Sequence, residues 1–120
     1  QRPSLIEAQG LTPKSYMLAT IHRQENTDSK ENLAAILSYI AKETGDMPVL
    51  LPLHPRTKKM LAQFGITLPS IMKVCDPLGF VDMHALLAGA VGVYTDSGGV
   101  QKEAYFHQVP CVTLRSETEW

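Results

Sequence analysis

Apolar positions along the chain follow two alternating rhythms. Short runs of β-compatible residues, Tyr16 to Ile21, Pro48 to Leu53, Ile71 to Cys75, Val91 to Tyr94 and Cys111 to Leu114, predict strands. Between them, apolar residues recur at helical spacing. Leu33, Ile36, Leu37 and Ile40 make one face, Lys30, Glu31 and Lys42 lie off it, Asp28 or Ser29 suits the N-cap, and Gly45 supplies a stop. Pro55 to Phe64 reads as the next helix, because proline suits a first turn and Gly65 follows the last residue. Val81 to Ala88 and Gly99 to Phe106 read as two more. Strands and helices alternating with short connections imply right-handed crossovers, hence a parallel sheet covered on both faces. The expected fold is α/β, a Rossmann-like three-layer parallel sheet.

In such sheets ligands collect beyond the carboxyl ends of the strands. Those positions are polar here: His22-Arg23-Gln24-Glu25-Asn26, His54-Pro55-Arg56-Thr57, Asp76-Pro77-Leu78-Gly79, Asp96-Ser97-Gly98-Gly99 and Arg115-Ser116-Glu117-Thr118-Glu119. The stretch Thr95 to Glu103 carries the most chemistry, since it ends a strand and opens a helix. Gly98 and Gly99 let main-chain N–H groups approach an anion, and a helix N-terminus adds unsatisfied donors with partial positive charge. Diphosphate fits that environment. Glu103, about one turn further on, is suited to accept hydrogen bonds from both hydroxyls of a ribose. A Gly-Gly pair also serves an ordinary tight turn with a solvated glutamate beyond it.

After the first strand, Arg23 offers a planar donor fork for phosphate, and His22 can donate a hydrogen bond or move a proton near neutral pH. Surface capping or a salt bridge is the other reading of such a pair. His54 and Arg56 repeat the arrangement after the second strand. His84 and His107 fall within helices and read as surface or partly packed side chains without a role. No pair of histidines, cysteines or carboxylates shows a recognisable metal-ligand spacing, and no serine or cysteine nucleophile with its base is evident.

Composition narrows the classes further. The 120 residues, 44% hydrophobic, suffice for one packed domain. Lysine and arginine number 11 against 12 acidic residues, a formal charge of -1 without a one-signed block, so no electrostatic footprint for nucleic acid or anionic lipid is present. Cys75 and Cys111 lie in apolar runs and suit buried free thiols in a reducing, cytoplasmic setting. No apolar run reaches membrane-spanning length. Residues 1–14 read as a linker or the end of a preceding helix, and residues 15–120 as the domain. The chain is expected to be cut from a longer one, with this domain incomplete at its C-terminal end.

The strings Thr20 to Asn26, His54 to Thr57, Thr95 to Glu103 and Leu114 to Glu119, each after an expected strand, together resemble the non-hydrolysing UDP-N-acetylglucosamine 2-epimerases. The resemblance implies the C-terminal half of a GT-B-type two-domain fold, with the catalytic N-terminal half absent from this sequence. It also implies a chemistry: abstraction of the C2 proton, elimination of UDP to a 2-acetamidoglycal, and re-addition with inversion at C2. That route needs no metal and no cofactor, and its acid-base carboxylates belong largely to the missing half. By carry-over, Ser97, Gly98 and Gly99 hold the diphosphate of a UDP-sugar and Glu103 its ribose. His22 is the catalytic candidate beside the leaving phosphate, and Arg23 is a further UDP contact. His54, Arg56 and Arg115 are candidate substrate or phosphate contacts.

Met83 stands where many members have an aromatic residue near the uracil, and Trp120 where many have an arginine. The strings Gln101 to Phe106 and Thr118 to Trp120 look more like members acting on other UDP-acetamido sugars, including diacetamido-uronic acids, or archaeal members. Two alternatives stay open: a non-catalytic UDP or UDP-sugar module, and the nucleotide half of a GT-B glycosyltransferase. An unpaired sheet edge after the fifth strand makes homo-oligomers a further expectation.

Overall fold

The structure, a computed structural model, describes residues 14–114. In chain order its elements are β1 (Met17–Thr20), α1 (Gln24–Thr27), α2 (Lys30–Thr44), β2 (Val49–Pro52), α3 (Pro55–Phe64), β3 (Met72–Cys75), α4 (Phe80–Ala88), β4 (Gly92–Thr95), α5 (Gly98–Phe106) and β5 (Cys111–Thr113). The five strands form one sheet in the order β3-β2-β1-β4-β5. Every pairing is parallel: Leu18 lies opposite both Leu50 of β2 and Val93 of β4. The α/β reading of the sequence therefore holds, and the fold is Rossmann-like, of the kind that makes half of a GT-B-type protein.

Strand residues alternate between two cores because successive side chains point to opposite faces. On one face Ala19, Ile21, Val49, Leu51 and Tyr94 meet the Leu33, Ile36, Leu37 and Ile40 stripe of α2 and Leu61 of α3. On the other, Leu18, Leu50 and Val93 meet Leu86 and Leu87 of α4 and Ala104 of α5. With both faces covered, the central strands do not alternate with polar residues and are apolar except for Thr20 and Thr95, which end β1 and β4. Tyr16 is buried in the second core, and its hydroxyl donates to the Leu86 carbonyl. Burial pushes that phenol up to about 12.

Local signals account for the helix limits. Ser29 caps α2, its hydroxyl accepting from the Asn32 amide at 3.1 Å. His54 caps α3, with Nδ1 accepting from the Arg56 amide at 3.1 Å, and Pro55 fills the first helical position. Gly65 ends α3 in the left-handed region at φ 69°, where a side chain would be strained. One element goes beyond the sequence expectations. Within the polar lead-in to α2, the amides of Asn26 and Thr27 both bond the Arg23 carbonyl, closing a single turn, α1. An apolar pattern does not mark it, because its partners are polar too.

Cys75 and Cys111 are free thiols as expected, but half-buried, since β3 and β5 are the sheet edges and are covered less completely. Desolvation raises both thiols above their ordinary range, and the Asp76 carboxylate adds to the effect at Cys75. Among the described residues no helix is long and apolar enough to cross a membrane.

Candidate functional site

The chain winds from β1 outward through β2 to β3, then crosses back to place β4 on the other side of β1. The loops after β1 and β4 therefore diverge in opposite directions, leaving a crevice at the carboxyl ends of two neighbouring central strands. His22 and Arg23 follow β1, and Asp96 to Gly99 follow β4.

A buried carboxylate ties the two loops together. Asp96, 1% exposed, accepts the His22 amide on Oδ1 at 2.8 Å. Its Oδ2 accepts the Arg23 amide at 3.0 Å and the Asn26 side-chain amide at 2.8 Å. In return, Arg23 Nε donates to the Asp96 carbonyl at 2.7 Å. Beneath this knot the hydroxyls of Thr20 and Thr95 meet at 2.6 Å, and Thr95 Oγ1 accepts the Ser97 amide at 3.0 Å. Asp96 thus faces into the protein, and its role is to set the spacing between His22 and Ser97. Arg23 has its guanidinium anchored over the β4 loop by the Nε bond.

Ser97 is the N-cap of α5, its hydroxyl accepting from the Val100 amide at 3.4 Å. Gly98 and Gly99 are the first two helical residues, so their amides have no carbonyl to bond within the helix. Both are exposed, and a methyl group on Gly98 would meet nothing within 4 Å, so the approach of an outside group is open there. The helix dipole adds partial positive charge at the same place. Glu103 follows just over one turn later. It shares with His22, Leu78, Met83, His84, Ser97 and Gly99 a cleft of about 340 Å³. Its Oε1 lies 3.2 Å from Nε2 of His84, on α4.

A second cleft, of about 540 Å³, opens beside the first and shares His22, Leu78 and Met83 with it; His54, Arg56, Gln24 and Thr27 line it. Both sequence candidates after β2 thus reach this space, but each has a local partner. His54 caps α3 through Nδ1, and Arg56 Nη2 pairs with Asp28 Oδ1 at 2.7 Å. That pairing is the main reason the Asp28 carboxyl lies below its ordinary value; a hydrogen bond from Gln24 also contributes. Arg115, the remaining candidate, lies outside the described residues, as does Trp120.

The structure therefore brings His22, Ser97, Gly98, Gly99 and Glu103 to one crevice, with Arg23 anchored at its edge. His54 and Arg56 stand in the adjoining cleft, which of the crevice residues only His22 also lines. Two contributors are not recognisable in the sequence. Asp96 stands in sequence among the polar strand-end positions, and only its inward hydrogen bonds reveal a structural strut. His84 reads as an unremarkable helical histidine until α4 packs beside α5.

Comparison with known proteins is consistent with this geometry. The family model described as UDP-N-acetylglucosamine 2-epimerase matches residues 1–120. A UDP-N-acetylglucosamine 2-epimerase homolog of Methanococcus maripaludis is 43% identical over 120 residues, covering 97% of this chain and 33% of that protein. The UDP-2,3-diacetamido-2,3-dideoxy-D-glucuronate 2-epimerase of Pseudomonas aeruginosa is 46% identical over 106 residues, 88% of this chain and 29% of that one. Among solved structures, the Methanocaldococcus jannaschii UDP-GlcNAc 2-epimerase in complex with UDP-GlcNAc and UDP superposes with a TM-score of 0.80. Its identity is 36%, over 95% of this chain and 33% of that one. The chain spans about a third of the length of the curated relatives it matches.

Proposed function

The chain belongs to the UDP-N-acetylglucosamine 2-epimerase family, and from that premise we propose that it is the UDP-binding domain of an enzyme that inverts C2 of a UDP-acetamido sugar. The observation that carries this reading is the convergence on one 340 Å³ cleft of the Ser97-capped helix start, Glu103 and His22. The diphosphate sits against the Gly98 and Gly99 amides and the Ser97 hydroxyl, where donors and the helix dipole stabilise its charge. Glu103 accepts the ribose hydroxyls. His22, whose main chain is fixed by Asp96, faces the bridging oxygen between sugar and diphosphate.

The reaction proceeds by removal of the C2 proton and departure of UDP, giving a 2-acetamidoglycal, followed by protonation from the opposite face and return of UDP. Atoms and electrons balance within the substrate, so the sequence is redox-neutral. The domain's contribution is to hold UDP through both halves, so that the glycal and UDP recombine instead of separating. Charge develops on the leaving phosphate oxygen, and the amides of α5 together with His22 are positioned to stabilise it. Proton transfer at C2 falls to carboxylates of the N-terminal half of the parent protein. The substrate is UDP-N-acetylglucosamine or a related UDP-acetamido sugar.

The test is the full-length parent with UDP-N-acetylglucosamine in deuterium oxide. Deuterium at C2 and appearance of the manno epimer are expected. Neither appearing would overturn that substrate, and a diacetamido-uronate nucleotide then takes its place in the same assay.

A further inference from the structure

Beside the nucleotide cleft, α4 and α5 bring three metal-ligand side chains together. Glu103 and His107 are four residues apart, and His107 is the C-cap of α5, so the two stand on one face of that helix. His84 reaches them from α4, with Nε2 3.2 Å from Glu103 Oε1 and Nδ1 3.5 Å from His107 Nε2. The two imidazoles meet edge to face with centroids 5.4 Å apart. One ligand atom from each of the three residues lies within 4.8 Å of the others, and all three side chains are half-buried.

We propose that His84, Glu103 and His107 form a binding site for a zinc-like divalent transition-metal ion, and that an ion held there competes with the nucleotide. Two imidazoles and a carboxylate are a donor set that zinc accepts in three-ligand sites with an open fourth position. Zinc–nitrogen and zinc–oxygen bonds of about 2.0–2.2 Å place tetrahedral ligand atoms about 3.3 Å apart. The Glu103–His84 pair at 3.2 Å already has that spacing, while the 3.5 Å contact of His107 is to the other nitrogen of His84. His84 gives the ion one nitrogen, and because one ligand atom of each residue lies within 4.8 Å of the others, closing the set calls for His107 to turn toward that nitrogen. The site disfavours magnesium and calcium, which demand six or more oxygen ligands, because it offers a single carboxylate.

The sequence does not show this cluster because His84 and His107 are 23 positions apart and meet only when α4 packs beside α5. Competition follows from Glu103. A carboxylate turned to an ion is withdrawn from the ribose hydroxyls. This second half of the proposal rests on the function argued above, whereas the ion site itself does not.

The experiment titrates the chain with zinc by calorimetry and with cobalt by visible absorption, both without nucleotide. One ion per chain is expected, with tetrahedral cobalt bands and no magnesium binding. His107→Gln, at the exposed end of the helix, and His84→Ala should each weaken zinc by more than the roughly 10- to 100-fold that losing an outer-shell partner costs. Absence of saturable binding, or a His107→Gln isotherm matching that of the unaltered chain, would overturn the site. UDP is then titrated with and without zinc. At free zinc about ten times its own Kd, the apparent Kd for UDP should rise about tenfold in the unaltered chain. In His107→Gln the rise should shrink to what zinc bound to free diphosphate produces. An equal rise in both proteins overturns the competition. UDP failing to bind without zinc counts against the proposed function, and the zinc isotherms by themselves then decide whether the ion site stands.

Discussion

Asn26 donates its side-chain amide to the Asp96 carboxylate across 2.8 Å, and neither residue is exposed to any useful extent. The bond joins α1, a single turn, to the loop that begins α5, so the polar turn after β1 and the helix start after β4 are tied to each other. Asp96→Asn replaces an acceptor of three N–H groups by an amide that can accept on one oxygen only. The expected loss is about 3 kcal/mol, from weakened charged hydrogen bonds and a donor set against a donor. Urea unfolding measures it, and UDP affinity should fall with it because His22 and Ser97 lose their fixed spacing.

Ser97 has two separable roles, helix cap and proposed phosphate donor. Ser97→Ala should cost about 1 kcal/mol of stability through the lost cap. Ser97→Asp keeps a capping oxygen, so thermal stability should stay near that of the unaltered chain, yet a carboxylate facing diphosphate should abolish measurable UDP binding. Calorimetry paired with a melting curve reads both, and an aspartate variant that still binds UDP would remove the phosphate from this loop.

Glu103 is the proposed ribose contact. Glu103→Ala should weaken UDP by roughly tenfold, equivalent to about 1.4 kcal/mol, and leave inorganic pyrophosphate unaffected. Parallel losses for the two ligands would mean that Glu103 acts on the whole pocket and not on the sugar.

Tyr16 supplies an alkaline signature. Its folded-state value is raised from 10.0 to about 12 by burial, so its contribution to stability is fully present below pH 10 and is lost as pH climbs toward 12. Tyr16→Phe removes that part of the pH dependence. It also removes the bond to the Leu86 carbonyl, at a cost of about 1 kcal/mol near neutral pH. Urea midpoints collected between pH 8 and pH 12 should show a shallower alkaline decline in the variant; identical declines would place the sensitivity elsewhere.

The fold is legible in the sequence because its signals are local. Leu33, Ile36, Leu37 and Ile40 have helical spacing and bury one stripe, and Pro55 and Gly65 mark the ends of α3 by backbone geometry that proline and glycine favour. What escapes such a reading depends on contacts distant in sequence. Asn26 and Asp96 are 70 positions apart, and a buried polar pair looks in sequence like two surface residues. Met83, a departure from the aromatic residue expected near the base, does line both clefts. The partners of Arg56 and His54 are equally hidden, because a cap and an ion pair have the same residue types as a phosphate site.

The central claim is that uridine diphosphate docks at the start of α5. The most direct measurement is a UDP titration of the isotope-labelled chain followed by amide NMR. Saturable shifts should be largest at Gly98, Gly99 and His22, with Glu103 and its neighbours moving in step. Shifts centred instead on His54 and Arg56, or none that saturate, would contradict the account.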